Sequence, residues 1–545
     1  MVRWASLSAI LWRMAAQTLQ ALKTENQTLK KTRQSLVIEN KQLQQQLLFA
    51  LAQITKLEEL RRLERAERFA ASSEQSPQYA LFNEAEQEQS GETDGGESAA
   101  AKITVPAYTR KVPKRQPLPK DLPRVVIEHD LEDKRCSCGA EKVRIGTKTS
   151  EQLDVIPAQV FVIEHQRHTY KCPCCEDAIP ETAPIPAQPI PKSIASPGLL
   201  AHVAVSKYDD GLPLYRQTKM FARMNIELPR QTLARHMVKA GELITPLINR
   251  LSEHVQQYDI VQMDETRVQV LDEDNRLAKS QSWMWVIRGG PPDQPVVRFD
   301  YDPSRAGAVA TRLLDGYQGY LQTDGYKAYG QVLRTPGIKG LGCWAHARRK
   351  FVQAQQAAPA GKPSHKTQQM LSWIGKLYAL EKQWALLAPD DRRRHRQVQS
   401  KPILDQIETW LARQNVNPQS LLGRAIHYLR GEWPRLKVYL EDGRLNIDNN
   451  LVENAIRPFA LGRKNWLFSQ SVAGAEASAA LYSIIETARA NNLNTYAYLK
   501  HLFTFLPQAT SSGDMDLLLP WNIESAMLDQ YLSPVKSSQT STRSR

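Results

Sequence analysis

The 545-residue sequence predicts a multidomain α/β protein. Three observations carry that expectation: a leucine heptad near the N-terminus, cysteines crowded into two short clusters, and β-rich runs alternating with helical ones around separated acids. A chain this long outgrows one hydrophobic core, so about three or four domains are expected. Lys and Arg total 71 against 57 Asp and Glu, a formal net charge of +14. That excess favours a polyanionic partner, with an affinity that falls as salt is added. The opening MVRWASLSAILWRMAAQ superficially resembles a secretory signal, but Arg13 interrupts its apolar stretch and it runs on into a helical pattern. The sequence lacks any run of about 18 apolar residues, which argues against a membrane span and for a cytoplasmic protein.

The first element is a coiled coil over residues 1–71. Leu22, Leu29, Leu36 and Leu43 recur at seven-residue steps that Ala50 and Leu57 continue. With these as d positions, the a positions are Leu19, Asn26, Arg33, Asn40, Leu47 and Ile54. Asn at a weakens a zipper but favours a parallel dimer in one register, so dimerisation is expected. Residues 72–124 read as a disordered linker, acidic between Glu84 and Glu97, then basic and proline-rich from Lys102 to Arg124. The basic part suits an extended arm lying along phosphates.

Five of the six cysteines lie between residues 136 and 175, in CSCG and CPCC. Clustered thiols point to metal in a reducing compartment and not to a disulfide scaffold. A zinc-binding DNA-recognition module over 125–180 is expected, with Cys136, Cys138, Cys172 and Cys175 as ligands and Cys174 as the spare. Four protein ligands leave no position for water, so this zinc is structural. A proline-rich bridge then leads to a helix–turn–helix over 181–250, with helices near Leu214–Met224 and Arg230–Ala240. Arg230, Gln231, Thr232 and Arg235 at the front of the second helix suit base edges and phosphates.

From Asp259 the pattern turns to strands. QYDIVQMDETRVQVL, SQSWMWVIRG and PVVRFDYD are β-rich, the helical RAGAVATRLLDGY follows, and GYLQTD and IKGLGCW are further strands. Asp264 lies on the first strand, and Asp324 at the end of the fourth. Glu453 lies in DNNLVENAIRPFALGRKNW at the start of a later helix. Two carboxylates on strands and a third on a helix can hold two divalent ions for phosphodiester chemistry. Arg457 sits one turn from Glu453 on the same face, and Arg463 and Lys464 form a cluster suited to DNA backbone. Glu265 is discounted because its side chain points to the opposite sheet face, and Asp448 could be a helix N-cap. Cys343 and His346 in CWAHARRKF could bind metal, but a buried Cys and a hydrogen-bonded His is the favoured reading. Apolar helices with Trp373, Trp384, Trp410 and Trp433 interrupt the pattern as an insertion at about 355–445. RRRHR at 392–396 within it reads as a solvated face.

Three strands, a helix, a strand, a helix and a strand is the order of a ribonuclease H-like core, expected over residues 251–505, with a C-terminal tail over 506–545. The blocks LPRVVIEHDL, YKCPCC, SKYDDGLPLYRQ, MDET, TDGYKAYG, CWAHARRKF and DGRLNIDNNLVENAIRPFALGRKNWLF occur in the order found in IS66 family transposases, which the chain closely resembles. The resemblance implies a DDE triad of Asp264, Asp324 and Glu453 holding Mg²⁺ or Mn²⁺. It implies terminal inverted repeats of an insertion sequence and target DNA as partners, with helper proteins of the same element, in a bacterial, nucleoid-associated setting. The implied reaction is end cleavage followed by joining of the 3′-hydroxyl to target DNA. A catalytically inactive DNA-binding derivative would have lost one carboxylate; all three are present. A general nuclease of the same fold would not need the zipper, ribbon and helix–turn–helix. The tight C-x-C of Cys136 and Cys138 is the visible departure from the usual zinc spacing.

Overall fold

The computed structural model describes residues 2–69, 160–170, 181–358 and 364–532. The linker over 72–124 and the cysteines at 136, 138, 172, 174 and 175 lie outside the described residues. The chain forms two units, Met1–Glu92 with Pro186–Arg545, and Thr93–Ile185. Of the second, strands β1 (Thr169–Tyr170) and β2 (Glu181–Thr182) pair antiparallel as a short hairpin, closed by a Thr169–Thr182 hydroxyl contact of 2.9 Å.

The large unit begins with α1, a single helix over Val2–Phe69. At 1.5 Å per residue it is about 100 Å long. Leu22, Leu29, Leu36 and Leu43 are each more than half exposed along it. Its C-terminal part touches the rest of the unit: Glu59 accepts from the Leu421 amide at 2.7 Å, and Arg62 donates to the Ala357 carbonyl at 2.8 Å.

Helices α2 (Pro197–Tyr208) and α3 (Leu214–Ala222) precede α4 (Arg230–Gln256). Asn225, at φ +59°, makes the turn between α3 and α4. The second helix of the predicted pair does not stop at Ala240 but runs on past Pro246. Its apolar stripe of Leu233, Met237, Ala240, Ile244, Leu247, Leu251 and Val255 is buried throughout, whereas Pro246 faces outward. Packing of that stripe outweighs the proline's cost inside a helix.

The sheet follows: β3 (Ile260–Asp272), β4 (Gln281–Gly289), β5 (Val296–Asp302), α5 (Gly307–Leu313), β6 (Gly319–Gln322) and β7 (Ile338–Leu341). The order is β5-β4-β3-β6-β7, with β3, β4 and β5 antiparallel and β3, β6 and β7 parallel. β3 is central, and its apolar residues Val261, Met263, Val268 and Val270 are fully buried. These strands lie within three residues of those read from the sequence.

After β7 come α6 (Trp344–Gln356), α7 (His365–Gln383), α8 (Pro389–His395), α9 (Lys401–Ala412) and α10 (Leu421–Leu436). They enclose their own core around Trp344, Phe351, Ile374, Leu404 and Leu429. The RRRHR segment is a solvated face only in part: Arg393, Arg394 and His395 are exposed, but its two ends are tied inward. Arg396 is completely buried, and Arg392 donates to the carbonyls of Trp384, Ala385 and Gly443. The chain returns to the sheet through α11 (Asn450–Trp466), the short strand β8 (Ser469–Ser471) beside β3, and α12 (Val472–Ala490). Ser483 and Thr487 of α12 accept from the β5 amides of Phe299 and Val297. Next is α13 (Thr495–Phe505). Residues 506–532 are not a tail, because Leu518, Leu519, Ile523 and Leu528 are buried and both Asp516 oxygens accept from Arg250, one from Nε and one from Nη2. The fold is therefore mixed α/β with a large helical share. Among the described residues no helix is long and apolar enough to cross a membrane.

Candidate active site

β3 and β6 are hydrogen-bonded neighbours, and α11 packs on β3, so the elements bearing Asp264, Asp324 and Glu453 meet. Asp264 is on β3, its Oδ1 accepting from the Glu265 amide at 2.8 Å. Asp324 stands two residues past β6, held in a turn where its Oδ1 accepts from the Tyr326 amide at 2.9 Å. Glu453 is in the first turn of α11, whose N-terminal amides favour a negative charge there.

Two glutamines that the sequence reading passed over set this arrangement. Gln262 precedes Asp264 by two residues on β3 and so shares its sheet face, Gln322 ends β6 two residues before Asp324, and the two glutamines are register partners joined at 2.7 Å. Gln262 also accepts from the Val452 amide and donates to the Asp448 carbonyl, while Gln322 donates to the carbonyls of Gly342 and Asn446. The pair therefore ties both aspartate strands to the turn that launches Glu453. The repeated Gln-x-Asp in VQMDET and LQTDGY was the available signal. Asp448 is not the N-cap, which is Asn449; it is a buried bracket accepting from the Tyr378 hydroxyl at 2.8 Å and the Asn450 amide.

The three acids lie close enough to feel one another's charge. Burial pushes Asp264 well above the usual carboxylate range, and the charges of Glu453, Glu265 and Asp324 push it further. Burial raises Asp324, opposed by the Tyr326 amide and by Arg305, Arg435 and Arg349. Glu453 is pushed up to about 7 by burial and by Asp448 and Asp324, with Arg349 opposing. Glu453 Oε1 is buried without a hydrogen-bond partner. Like-charged oxygens with so little compensation fit hard divalent cations, whose ligands are carboxylates. Glu265 does face the other way, toward Arg305 and the Tyr329 hydroxyl.

Cys343 and His346 come to the same place. Cys343 is buried; His346 Nδ1 lies 3.3 Å from Glu453 Oε1 but out of hydrogen-bonding alignment. The hydrogen-bonded histidine read from the sequence is thus not found. Burial, with Arg349 and Lys350, pushes His346 down to about 3, so its ring is neutral.

The expected DNA contacts divide. Arg230, Gln231 and Arg235 are exposed and Thr232 half-buried at the front of α4, and Lys464 is exposed. Arg463 instead binds the Thr266 hydroxyl at 3.2 Å and the Arg267 carbonyl, tying α11 to β3. Arg463→Ala is expected to lower the melting temperature without a selective loss of DNA affinity, read by thermal unfolding beside an end-binding titration.

Family comparisons agree along most of the chain. A family model described as Transposase IS66 family matches residues 192–477. The zinc-finger binding domain of transposase IS66 matches 133–176, which spans the cysteine clusters, and the IS66 C-terminal element matches 483–521. A model described as Transposase C of IS166 homeodomain matches 56–127. Among curated relatives, uncharacterized protein y4jD of Sinorhizobium fredii is 34% identical over 427 residues, covering 76% of this chain and 83% of the relative. Uncharacterized protein y4hP of the same organism is 30% identical over 489 residues, covering 86% and 87%.

Proposed function

The chain belongs to the IS66 transposase family, and from that premise we propose that it binds the terminal inverted repeats of its insertion sequence, cleaves at their ends and joins the freed 3′-hydroxyl to target DNA. The observation that carries this reading is the meeting of Asp264, Asp324 and Glu453, from three separate segments, in one under-compensated acidic site. The strand order supports a ribonuclease H-like core with the helical block inserted between β7 and α11.

Asp264, Asp324 and Glu453 would hold Mg²⁺ or Mn²⁺, and such ions stabilise the attacking and leaving oxygens of an in-line displacement. The chain's own residues supply the setting. Gln262 and Gln322 tie together the strands that carry the two aspartates, while Arg305, Arg349 and Arg435 offset part of the charge at Asp324. Such a displacement needs no covalent intermediate on Ser or Tyr. Cys136, Cys138, Cys172 and Cys175 would hold a structural Zn²⁺ in the recognition module, and Arg230, Gln231, Thr232, Arg235, Arg457 and Lys464 would contact DNA. Helper proteins of the same element are further partners.

The test is cleavage of DNA carrying the element's own ends, in Mg²⁺ and in chelator, by the wild type and Asp264→Asn. Cleavage should need Mg²⁺ and fall on the order of 10³-fold or more in the variant while end binding persists. Unchanged cleavage by Asp264→Asn would refute the site. Arg230→Ala should weaken end binding by about 1–3 kcal/mol and relax its selectivity, as loss of a base contact does, in a competition titration against scrambled ends.

The exposed leucines of α1 would pair with those of a second copy, so that two ends are held together. Leu29→Asp combined with Leu36→Asp is expected to shift the sedimenting species from dimer to monomer. A monomeric wild type under the same conditions would remove this part of the reading.

A further inference from the structure

The geometry points to a second kind of metal position beside the acidic site: the Cys343 sulfur, His346 Nδ1 and a Glu453 oxygen form a three-ligand seat for a thiophilic divalent cation such as Zn²⁺. The three ligand atoms lie within 4.8 Å of one another. A tetrahedral zinc with Zn–S of about 2.3 Å and Zn–N and Zn–O of about 2.0 Å sets its ligands roughly 3.2–3.6 Å apart. The His346–Glu453 separation of 3.3 Å already meets that, and the sulfur lies within 4.8 Å of both atoms.

Local structure prepares the ligands. Cys343 is the N-cap of α6 and His346 lies three residues on, so the helix start places both toward α11. Trp344 anchors that start, wholly buried with its indole N–H on the Leu436 carbonyl at 2.9 Å. His346 Nδ1 and Glu453 Oε1 are both buried without a hydrogen-bond partner, an arrangement that costs free energy unless something completes it. A bound cation would rest on a thiolate, an imidazole and a carboxylate.

That donor set is soft where the acidic site is hard, so Mg²⁺ has little affinity for it and Zn²⁺ much. The inference rests on the proposed acidic site only in sharing Glu453. A cation in the Cys343 seat occupies the carboxylate that the acidic site needs, so the two occupancies compete, and thiophilic metal acts as a brake on cleavage.

The experiment titrates full-length protein, its other cysteines preloaded with Zn²⁺, with Co²⁺ and follows the thiolate-to-cobalt charge-transfer band. Wild type should gain one equivalent of thiolate-bound Co²⁺ that Zn²⁺ displaces. Cys343→Ser and His346→Gln, verified as folded by circular dichroism, should each lose or severely weaken it. Asp264→Asn should retain the band, and does so whether or not cleavage depends on Asp264, which separates the two readings. Equal bands in wild type and folded Cys343→Ser would overturn the proposal. A full-strength band in Glu453→Gln would overturn the shared ligand and with it the brake.

Discussion

Glu453→Gln should abolish end cleavage and, in metal-free buffer at pH 8, make the protein more stable. Its folded-state pKa of about 7 lies above the ordinary value of 4.5, because burial and neighbouring acids disfavour the charge. Between those values the folded protein keeps a proton that the unfolded chain has released, so stability falls as pH rises through that window. Glutamine copies the protonated carboxyl in size and cannot ionise. The gain at pH 8 should be on the order of 1–3 kcal/mol, shrinking toward zero near pH 4.5. Adding Mg²⁺ should reverse the ranking, since the wild type alone gains by binding it. Thermal unfolding of both proteins at pH 5 and 8, with chelator and with Mg²⁺, reads all of this. A Glu453→Gln protein less stable than wild type at pH 8 without metal would show that Arg349, 3.8 Å away, compensates the charge fully.

Arg396→Met should cost about 3–5 kcal/mol, the range for stripping one partner from a buried ion pair. Arg396 has no exposed surface and uses all five guanidinium N–H groups. Two go to Glu381 at 2.8 and 2.6 Å, and three to the carbonyls of Tyr439, Asp442 and Leu445 at 2.6–2.8 Å. It clamps the segment that returns from the helical block toward α11. Denaturant unfolding should show the loss, and cleavage should fall even where the variant stays folded, because Glu453 is launched from that segment. Pairing the change with Glu381→Leu should restore part of the stability by removing the stranded carboxylate, but not the part owed to the three carbonyls. Wild-type stability in Arg396→Met would show that the clamp is dispensable.

The strands were legible because period-two burial and β-branched residues mark them locally, and the acids because each ends or follows such a run. Arg396 was not legible: in RRRHR it looks like its neighbours, and only the fold of a distant segment buries it. Helix α4 extends well past Ala240 because its apolar stripe continues to Val255, whereas the helix–turn–helix pattern needs only its front. Gln262 and Gln322 were visible as letters, but their meaning depends on a pairing of strands about 60 residues apart. Cys343 and His346 were noticed as a pair; their convergence on Glu453 depends on how the helical block returns. The zinc ligands, linker and arm rest on sequence and family match, since they lie outside the described residues.

Gln262 bonds to the Asp448 carbonyl across 186 residues of chain. During synthesis, Asp264 and Asp324 leave the ribosome before Glu453, by roughly 6 seconds or more at about 5–20 residues per second. Throughout that interval the sheet can form, but its glutamines have nothing to hold and the acidic site lacks its third member. On the proposed function, a chain interrupted within the helical block would lack the third carboxylate that DNA cleavage requires. The long detour between the second and third acids would then tie cleavage to completion of the polypeptide.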